Sequence, residues 1–331
     1  METTTTGQSQ LSVANRRRHA ICLMTIYLGN LPGWLAVWLR SCELNPHFDF
    51  LLLTDRPEDV TYRPRNVRIE SITLLELKDR FSTAVGFEVT LNHSYKICDF
   101  KPVFGAAFPD LLKSYDFWAH TDVDMFYGSL ESFIPDAALN QCVRLYHRGH
   151  LSLFRNDPEG NQLYRLPHPD ISWRSTFRTD EYCHFDEYKG IEKLISYNKV
   201  PEFEDNYAFA DILPRYPDLR LTRMELNHRH QIFVYDHGRV FQLFLHNKEL
   251  LRREFMYLHL QKRPMPAIDP NQWKTHFNWI CTPQGFLVAD LTRIGETELR
   301  KYNRPNYPHA LKYALKRAAR RLDWTGSRKS S

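Results

Sequence analysis

Between Ala20 and Leu39 the chain carries no charged residue, and Arg16-Arg17-Arg18 stands just before that run. An uncharged apolar run of this length behind a basic cluster has the form of a membrane anchor. Its middle argues otherwise. Gly29-Asn30-Leu31-Pro32-Gly33 is turn chemistry, and it divides the run into a strand over residues 20–28 and a helix over 34–42. Trp34, Val37, Trp38, Ser41 and Cys42 recur there at helical spacing. No small-residue cleavage site suggests a secreted product.

The rest of the chain alternates in the same way. Residues 48–54 (FDFLLLT) and 67–72 read as buried strands, with a helix near 74–81. A helix is expected over 101–112, with Pro102 tolerable in its first turn and Pro109 a kink. Residues 115–121 form a further strand, and 143–146 and 151–154 two more around Arg148-Gly149. Residues 157–215 show weak periodicity and many Pro, Asp, Tyr and Trp, so they are read as loops and short helices that build a substrate surface. Late strands are expected at 239–245, 255–260 and 286–289. Strands alternating with helices predict an α/β fold around a mainly parallel sheet covered on both faces.

Charge is unevenly spread. The net charge is +5, yet about +9 of it falls from Arg300 onward and about +2 before residue 19, which leaves the body at about −6. A body of that sign is not a nucleic-acid-binding surface. Six cysteines lie scattered without a CxxC pair, which excludes a dense disulfide framework and argues for a reducing compartment. The organisation expected is a polar arm over 1–18, one domain over 19–300, and a basic helix and tail over 301–331. In that helix Leu311, Leu315, Ala318 and Leu322 form an apolar stripe beside Lys312, Lys316, Arg317, Arg320 and Arg321. Such a helix suits an anionic membrane surface, docking on its own domain, or a mobile tail.

The sharpest chemical feature is a strand, FWAHT, running into Asp122-Val123-Asp124. Carboxylates at i and i+2 at a strand end can point to one side and offer hard oxygen ligands to Mg2+ or Mn2+. At the carboxyl end of a parallel strand they sit where open α/β sheets bind ligands. Far downstream, YLHLQKR supplies His259, whose imidazole can complete a metal's coordination. The same segment brings Lys262 and Arg263, which can offset phosphate charge.

The combination KICDFKPVFG, DFWAHTDVDMFYGSL and YLHLQKR resembles bacterial glycosyltransferase-like proteins of the GT-A fold, associated with capsule, exopolysaccharide and lipopolysaccharide assembly. The likeness spans roughly residues 19–265. It implies a GT-A-like mixed, mainly parallel central sheet flanked by helices, here with a basic C-terminal helix appended. Cys98-Asp99-Phe100-Lys101 stands where similar transferases carry an S-D-x-x-R-like stretch, with Cys for Ser and Lys for Arg. His120-Thr121 stands where they often have small or acidic residues.

The resemblance implies roles residue by residue. Asp122 and Asp124 hold Mn2+ or Mg2+ and touch the donor, with His259 as a further ligand. Lys262 stabilises the leaving nucleoside diphosphate, and Asp99 and Lys101 contact the donor sugar or its phosphates; a helix cap is the other reading of Asp99. Thr25, Tyr27 and Asp55 line the nucleotide pocket. His150 and Asn156 face the acceptor. Asp186 or Glu187 is the base for the acceptor hydroxyl if the anomeric centre inverts, and an acceptor-positioning group if it is retained.

The expected function is transfer of a sugar from a UDP- or GDP-linked donor to a bacterial surface glycan or lipid-linked glycan. The expected location is cytoplasmic, with peripheral contact at the inner membrane face. Two other classes remain open: a non-catalytic sugar- or lipid-binding protein with a degenerate transferase fold, and a haloacid-dehalogenase-like phosphohydrolase. The latter also uses a strand followed by DxD, but near the amino end and with Thr or Val where this chain has Met125-Phe126.

Overall fold

The uncharged run folds as a strand, β1 (Ile21–Tyr27), a turn, and the helix α1 (Leu35–Glu43). This computed structural model describes residues 19–261, 263–266 and 278–327, the last nine by backbone alone; the expected arm over 1–18 and Lys262 lie outside the described residues. No helix among the described residues is long and apolar enough to cross a membrane.

Strands β2 (Asp49–Thr54) and β3 (Val67–Ser71) follow, then α2 (Leu74–Val85). Thr73 and Glu76 close a capping box at the start of α2, and Gly86, at φ 86°, ends it in the left-handed region that glycine adopts freely. β4 (Phe117–Thr121) runs into β5 (Met125–Tyr127), and β6 (Arg144–Arg148) and β7 (Leu151–Arg155) form a hairpin. β8 (Glu202–Phe203) and β9 (Phe209–Asp211) are short. β10 (Gln231–Asp236), β11 (Arg239–His246) and β12 (Glu249–Phe255) make a meander, followed by β13 (Tyr257–His259), β14 (Asn278–Thr282) and β15 (Gly285–Val288). The chain ends in the helices Glu296–Tyr302 and Tyr307–Ser327.

The central sheet has the order β3-β2-β1-β4-β7-β6-β8. The pairs β2–β3, β1–β2, β1–β4 and β6–β8 are parallel, whereas β4–β7 and β6–β7 are antiparallel. It is the mixed, mainly parallel sheet flanked by helices that the alternation predicts. Alternate residues enter two cores. Leu23, Leu52, Ala119 and Leu153 pack on one side with Trp38 of α1. Met24, Leu51, Trp118 and Phe154 pack on the other, with Phe81 of α2 and the stacked Phe100 and Phe104. Strands buried on both faces explain why β1 and β2 read as unbroken apolar runs.

Two smaller sheets complete the fold: β12-β11-β10-β14-β15, and β5-β13-β9. Two expectations need correction here. The helix expected over 101–112 is a 3-10 turn at Lys101–Val103 and two short helices, Phe104–Ala107 and Pro109–Leu112. Pro109 lacks an amide hydrogen and its ring crowds the carbonyl four residues before it, so one continuous ladder cannot form. The strand expected over 255–260 divides at Met256: Phe255 ends β12, and β13 leaves to pair with β5 and β9.

Parallel pairing places the carboxyl ends of β1, β2 and β4 on one edge of the sheet. Asn45 holds α1 against that edge. Its amide nitrogen donates to the carbonyls of Ser41 (2.9 Å) and Gly128 (2.9 Å), and its oxygen accepts from the Leu130 amide (3.0 Å). Asn45→Ala is expected to cost about 2 kcal/mol by leaving buried backbone groups unpaired. A lowered urea midpoint checks this; an unchanged midpoint would show that the side chain does not tie β5 to α1.

Candidate functional site

Asp122 and Asp124 follow directly on β4, and the three-stranded sheet gathers partners around them. Antiparallel pairing sets His259 of β13 opposite Met125, and parallel pairing sets it beside Asp211 of β9. The Leu260 amide donates to the Asp124 carbonyl at 3.1 Å, which fixes the register. One ligand atom each from Asp122, Asp124 and His259 lies within 4.8 Å of the others, and the same holds for His150, Asp211 and His259.

The His259 ring lies between two carboxylates. Nδ1 donates to Asp211 Oδ1 at 2.8 Å, and Nε2 is 3.4 Å from Asp124 Oδ1. Burial disfavours the imidazolium, but Asp124 and Asp211 outweigh it and raise His259 to about 10. Burial likewise pushes the Asp211 carboxyl up, yet hydrogen bonds and charge from His259 prevail and hold it at about 2. Gln261 adds a hydrogen bond to Asp211 Oδ1 at 2.8 Å. His150 stacks near His259, with ring centroids 4.2 Å apart, and its Nε2 is 3.0 Å from the Tyr257 hydroxyl. Burial, and then the charge of His259, push His150 well below the usual histidine range. Two carboxylates and an imidazole, with a third carboxylate on the far ring nitrogen, match the way proteins hold and orient ligands for a hard divalent cation.

A second group of charges adjoins the first. The Lys101 ammonium is buried; it lies 2.8 Å from Asp122 Oδ1 and 3.5 Å from Asp186 Oδ2, and donates to the Gly149 carbonyl at 2.5 Å. Burial opposes its charge, but Asp122, Cys98 and Asp186 hold it well above the usual lysine range. Asp186 is only 1% exposed and accepts from the Tyr182 hydroxyl at 3.1 Å. Burial raises its carboxyl to about 7; Lys101 opposes this, while Glu187, Asp122 and Asp99 add to it. Gly149 permits the close packing: a Cβ there would meet Glu187 Cγ at 2.4 Å.

These groups line one cavity of about 870 Å³. Lys101, Asp122, Asp124, His150, Asp186, Glu187 and His259 all face it, as does Asp211. Other expected site residues lie elsewhere. Thr25, Tyr27 and Asp55 sit on the same sheet edge but outside the cavity lining, and Asp55 accepts from the Gly29 amide at 2.8 Å to close the turn after β1.

Asp99 requires a correction. It is fully buried, takes Lys96 Nζ at 2.8 Å, and accepts from the amides of Cys183 (2.8 Å) and Phe185 (2.7 Å). Both oxygens are therefore engaged in clamping the loop that carries Asp186, and the side chain lies outside the cavity lining. Asn156 requires another. β7 runs antiparallel to β4, so its far end lies beside Phe117, at the edge opposite Asp122. There Asn156 donates to the carbonyls of Leu112 (2.8 Å) and Tyr115 (2.9 Å).

Asp211, Tyr182 and Gln261 escape the sequence reading, as does the cavity-facing side of the C-terminal helix. Asp211 carries one faint signal: it ends the apolar triplet Ala208-Phe209-Ala210, as Asp122 ends FWAHT.

The family model that matches this chain is a family of unknown function (DUF6625), over residues 23–289. No curated protein matches it. Among solved structures it is similar to mouse xyloside xylosyltransferase 1 in its apo form, at 11% identity and TM-score 0.36, covering 59% of this chain and 88% of that one. It is also similar to an active-site mutant of LgtC, at 13% identity and TM-score 0.36, covering 58% and 75%. A third is a glycosyltransferase involved in glycosylation of the major capsid of PBCV-1, at 7% identity and TM-score 0.37, covering 77% and 96%.

Asp211→Asn keeps the side-chain shape and removes the charge behind His259. Mn2+ affinity is expected to fall about 10- to 100-fold, read by calorimetry. Unchanged affinity would show that Asp211 does not orient the imidazole toward a metal.

Proposed function

We propose that this chain, which belongs to the DUF6625 family of unknown function, is a metal-dependent glycosyltransferase. In this reading it moves a sugar from a nucleoside diphosphate donor of UDP or GDP type to a bacterial surface glycan acceptor. The observation that carries the reading is the meeting of Asp122, Asp124 and His259 within 4.8 Å of one another, at the carboxyl end of a central strand and on a cavity.

The residues fit a divalent cation, because the set is two hard carboxylates and one imidazole. Asp122, Asp124 and His259 would hold Mn2+ or Mg2+, and a bound ion there supplies charge neutralisation to a departing diphosphate. With an ion bound, Asp211 would keep the proton on Nδ1 of His259 while the cation displaced the Nε2 proton that Asp124 otherwise favours, so that Nε2 could give its lone pair. Lys101, itself buried, adds a fixed positive charge beside Asp122.

On the acceptor side, Asp186 is the base. It takes the proton of the attacking hydroxyl as the new bond to the anomeric carbon forms, and the electron pair of the broken bond leaves with the diphosphate. A base near neutrality suits that task, and the Asp99 clamp with the Tyr182 hydroxyl holds Asp186 in place. Glu187 and His150 line the same space and orient the acceptor. The reading extends to a cytoplasmic protein resting on the inner membrane face, supported by Leu311 and Leu315, which are 64% and 63% exposed on a basic helix.

Asp124→Ala is expected to abolish Mn2+-dependent binding of UDP or GDP in calorimetry while the circular dichroism spectrum is kept. Binding that survives would overturn the metal assignment and the enzymatic reading with it.

The Asp186 carboxyl sets a pH dependence. With its folded value raised from 3.8 to about 7, the folded state favours the protonated acid. The resulting stabilisation is complete below pH about 4 and is lost as pH rises through about 7. The rate should move the opposite way, with kcat/KM rising through about pH 7 as the base ionises. Asp186→Asn is expected to remove that limb and most of the rate; a limb that persists in the variant would assign the base elsewhere.

A further inference from the structure

The C-terminal helix Tyr307–Ser327 forms part of the cavity wall. His309, Lys312, Tyr313, Lys316 and Arg317 line the cavity, the three cations at its solvent-exposed rim, while Tyr307, Leu311 and Leu315 on the other side are 63–68% exposed. The start of the helix is fastened to the site. Asn306 donates through its backbone to the Pro217 carbonyl at 2.7 Å and through its side chain to the Pro283 carbonyl at 2.9 Å. His309 Nε2 donates to the Pro214 carbonyl at 2.7 Å, three residues from Asp211. The basic face is thus set beside the acidic cluster.

The cations already inside the cavity are answered. Lys101 pairs with Asp122 and Asp186, and Arg148 with Glu204. Among the described residues, Lys312, Lys316 and Arg317 have no ion-pair partner, although five acidic side chains besides Asp122 line the same space. Two lysines at i and i+4 repel one another and weaken the helix. Three unanswered cations on one face, turned toward a cavity, are arranged for an anion brought by a ligand.

We propose that this face is a phosphate subsite for the acceptor, and that the acceptor is a glycan carrying a phosphate ester. The inference rests on the glycosyltransferase reading. The donor's diphosphate is claimed by the set at Asp122, Asp124 and His259, and an uncharged sugar would leave the helix cations unanswered. The phosphate has two sources of one chemistry, a free glycan phosphate and the phosphate of a lipid-linked glycan. The outward leucines on the same helix are placed to rest on the surface from which a lipid-linked acceptor would enter.

The test uses the full chain and the double variant Lys312→Gln/Lys316→Gln. Glucose 1-phosphate is one probe, glucose its uncharged control, and phosphatidylcholine vesicles carrying a polyprenyl monophosphate the other probe. Each is titrated with and without saturating Mn2+ and UDP or GDP. The wild type is expected to bind at least one phosphate probe, not glucose, and more weakly as salt rises. The variant is expected to lose about tenfold or more of that affinity while binding Mn2+ and nucleotide as the wild type does.

Binding to the soluble probe supports a free phosphate, and binding to the vesicles alone supports a lipid-linked one. Equal binding by variant and wild type, or no binding of either probe, overturns the subsite. A variant that also loses nucleotide assigns the cations to the donor and overturns the acceptor role. A wild type that binds no nucleotide with Mn2+ sinks the transferase reading, while the titrations without nucleotide still decide whether the helix binds phosphate.

Discussion

The site depends on one imidazole held between two carboxylates. His259 reaches Asp211 through one nitrogen and Asp124 through the other, and each of the three sits on or beside a different strand of a sheet only three strands wide. None of those strands could persist alone. β5 continues directly from the central sheet, β13 pairs with β5 and β9 with β13, and all three bury side chains in the core that also receives Leu23 and Trp38. The acidic cluster is therefore assembled by tertiary packing rather than by local sequence. Its like charges are tolerated because a positive ring lies among them.

A second buried set of charges is arranged on a similar principle. Lys96 and Asp99 are fully buried, and such a pair often fails to recover its desolvation cost. Here the pair is well supplied with partners: Lys96 also donates to the carbonyls of Thr176 (2.8 Å) and Glu181 (2.6 Å), which uses all three of its protons, while Asp99 receives two amides of the 183–185 loop. The pair gives that loop one conformation. Asp186 follows immediately, so the position of the candidate base comes from an ion pair that never meets the cavity. Stability is of less account here than specificity of shape.

The legible part of the molecule was that with strong periodic signals. β1, β2 and β4 are buried on both faces and read as continuous apolar runs, and the turn at Gly29–Gly33 separates the first strand from α1. The acidic pair after β4 was visible for the same reason, because a buried run that stops on two carboxylates is conspicuous. Asp211 was not, since β9 is too short for periodicity and its partners in the site, His259, Gln261 and His150, lie 48 residues or more away in the chain. Asn156 was misplaced because the direction of β7 relative to β4 cannot be read from composition. Asp99 was misplaced because a buried, fully paired acid and a ligand-facing one look alike in sequence. The stripe on the C-terminal helix could be read, but not which of its faces turns inward.

The place of the site in the sheet follows from topology. β4 has a parallel neighbour in β1 and an antiparallel one in β7. Chains leave β1 and β4 at the same edge, and the turn before β7 arrives there, so the backbone around Gly149 and the end of β4 meet across a gap instead of continuing the sheet. In open α/β sheets such a change of connection opens the crevice where ligands bind. Lys101 bridges the gap, donating to the Gly149 carbonyl on one side and pairing with Asp122 on the other. A residue of that length and charge is needed to span it, and a shorter or neutral side chain would leave the Gly149 carbonyl without its donor and the half-buried Asp122 carboxylate without its counter-charge. The ammonium thus ties the hairpin that carries His150 to the strand that carries the acids, and it makes the electrostatics of the cavity inseparable from the integrity of the sheet.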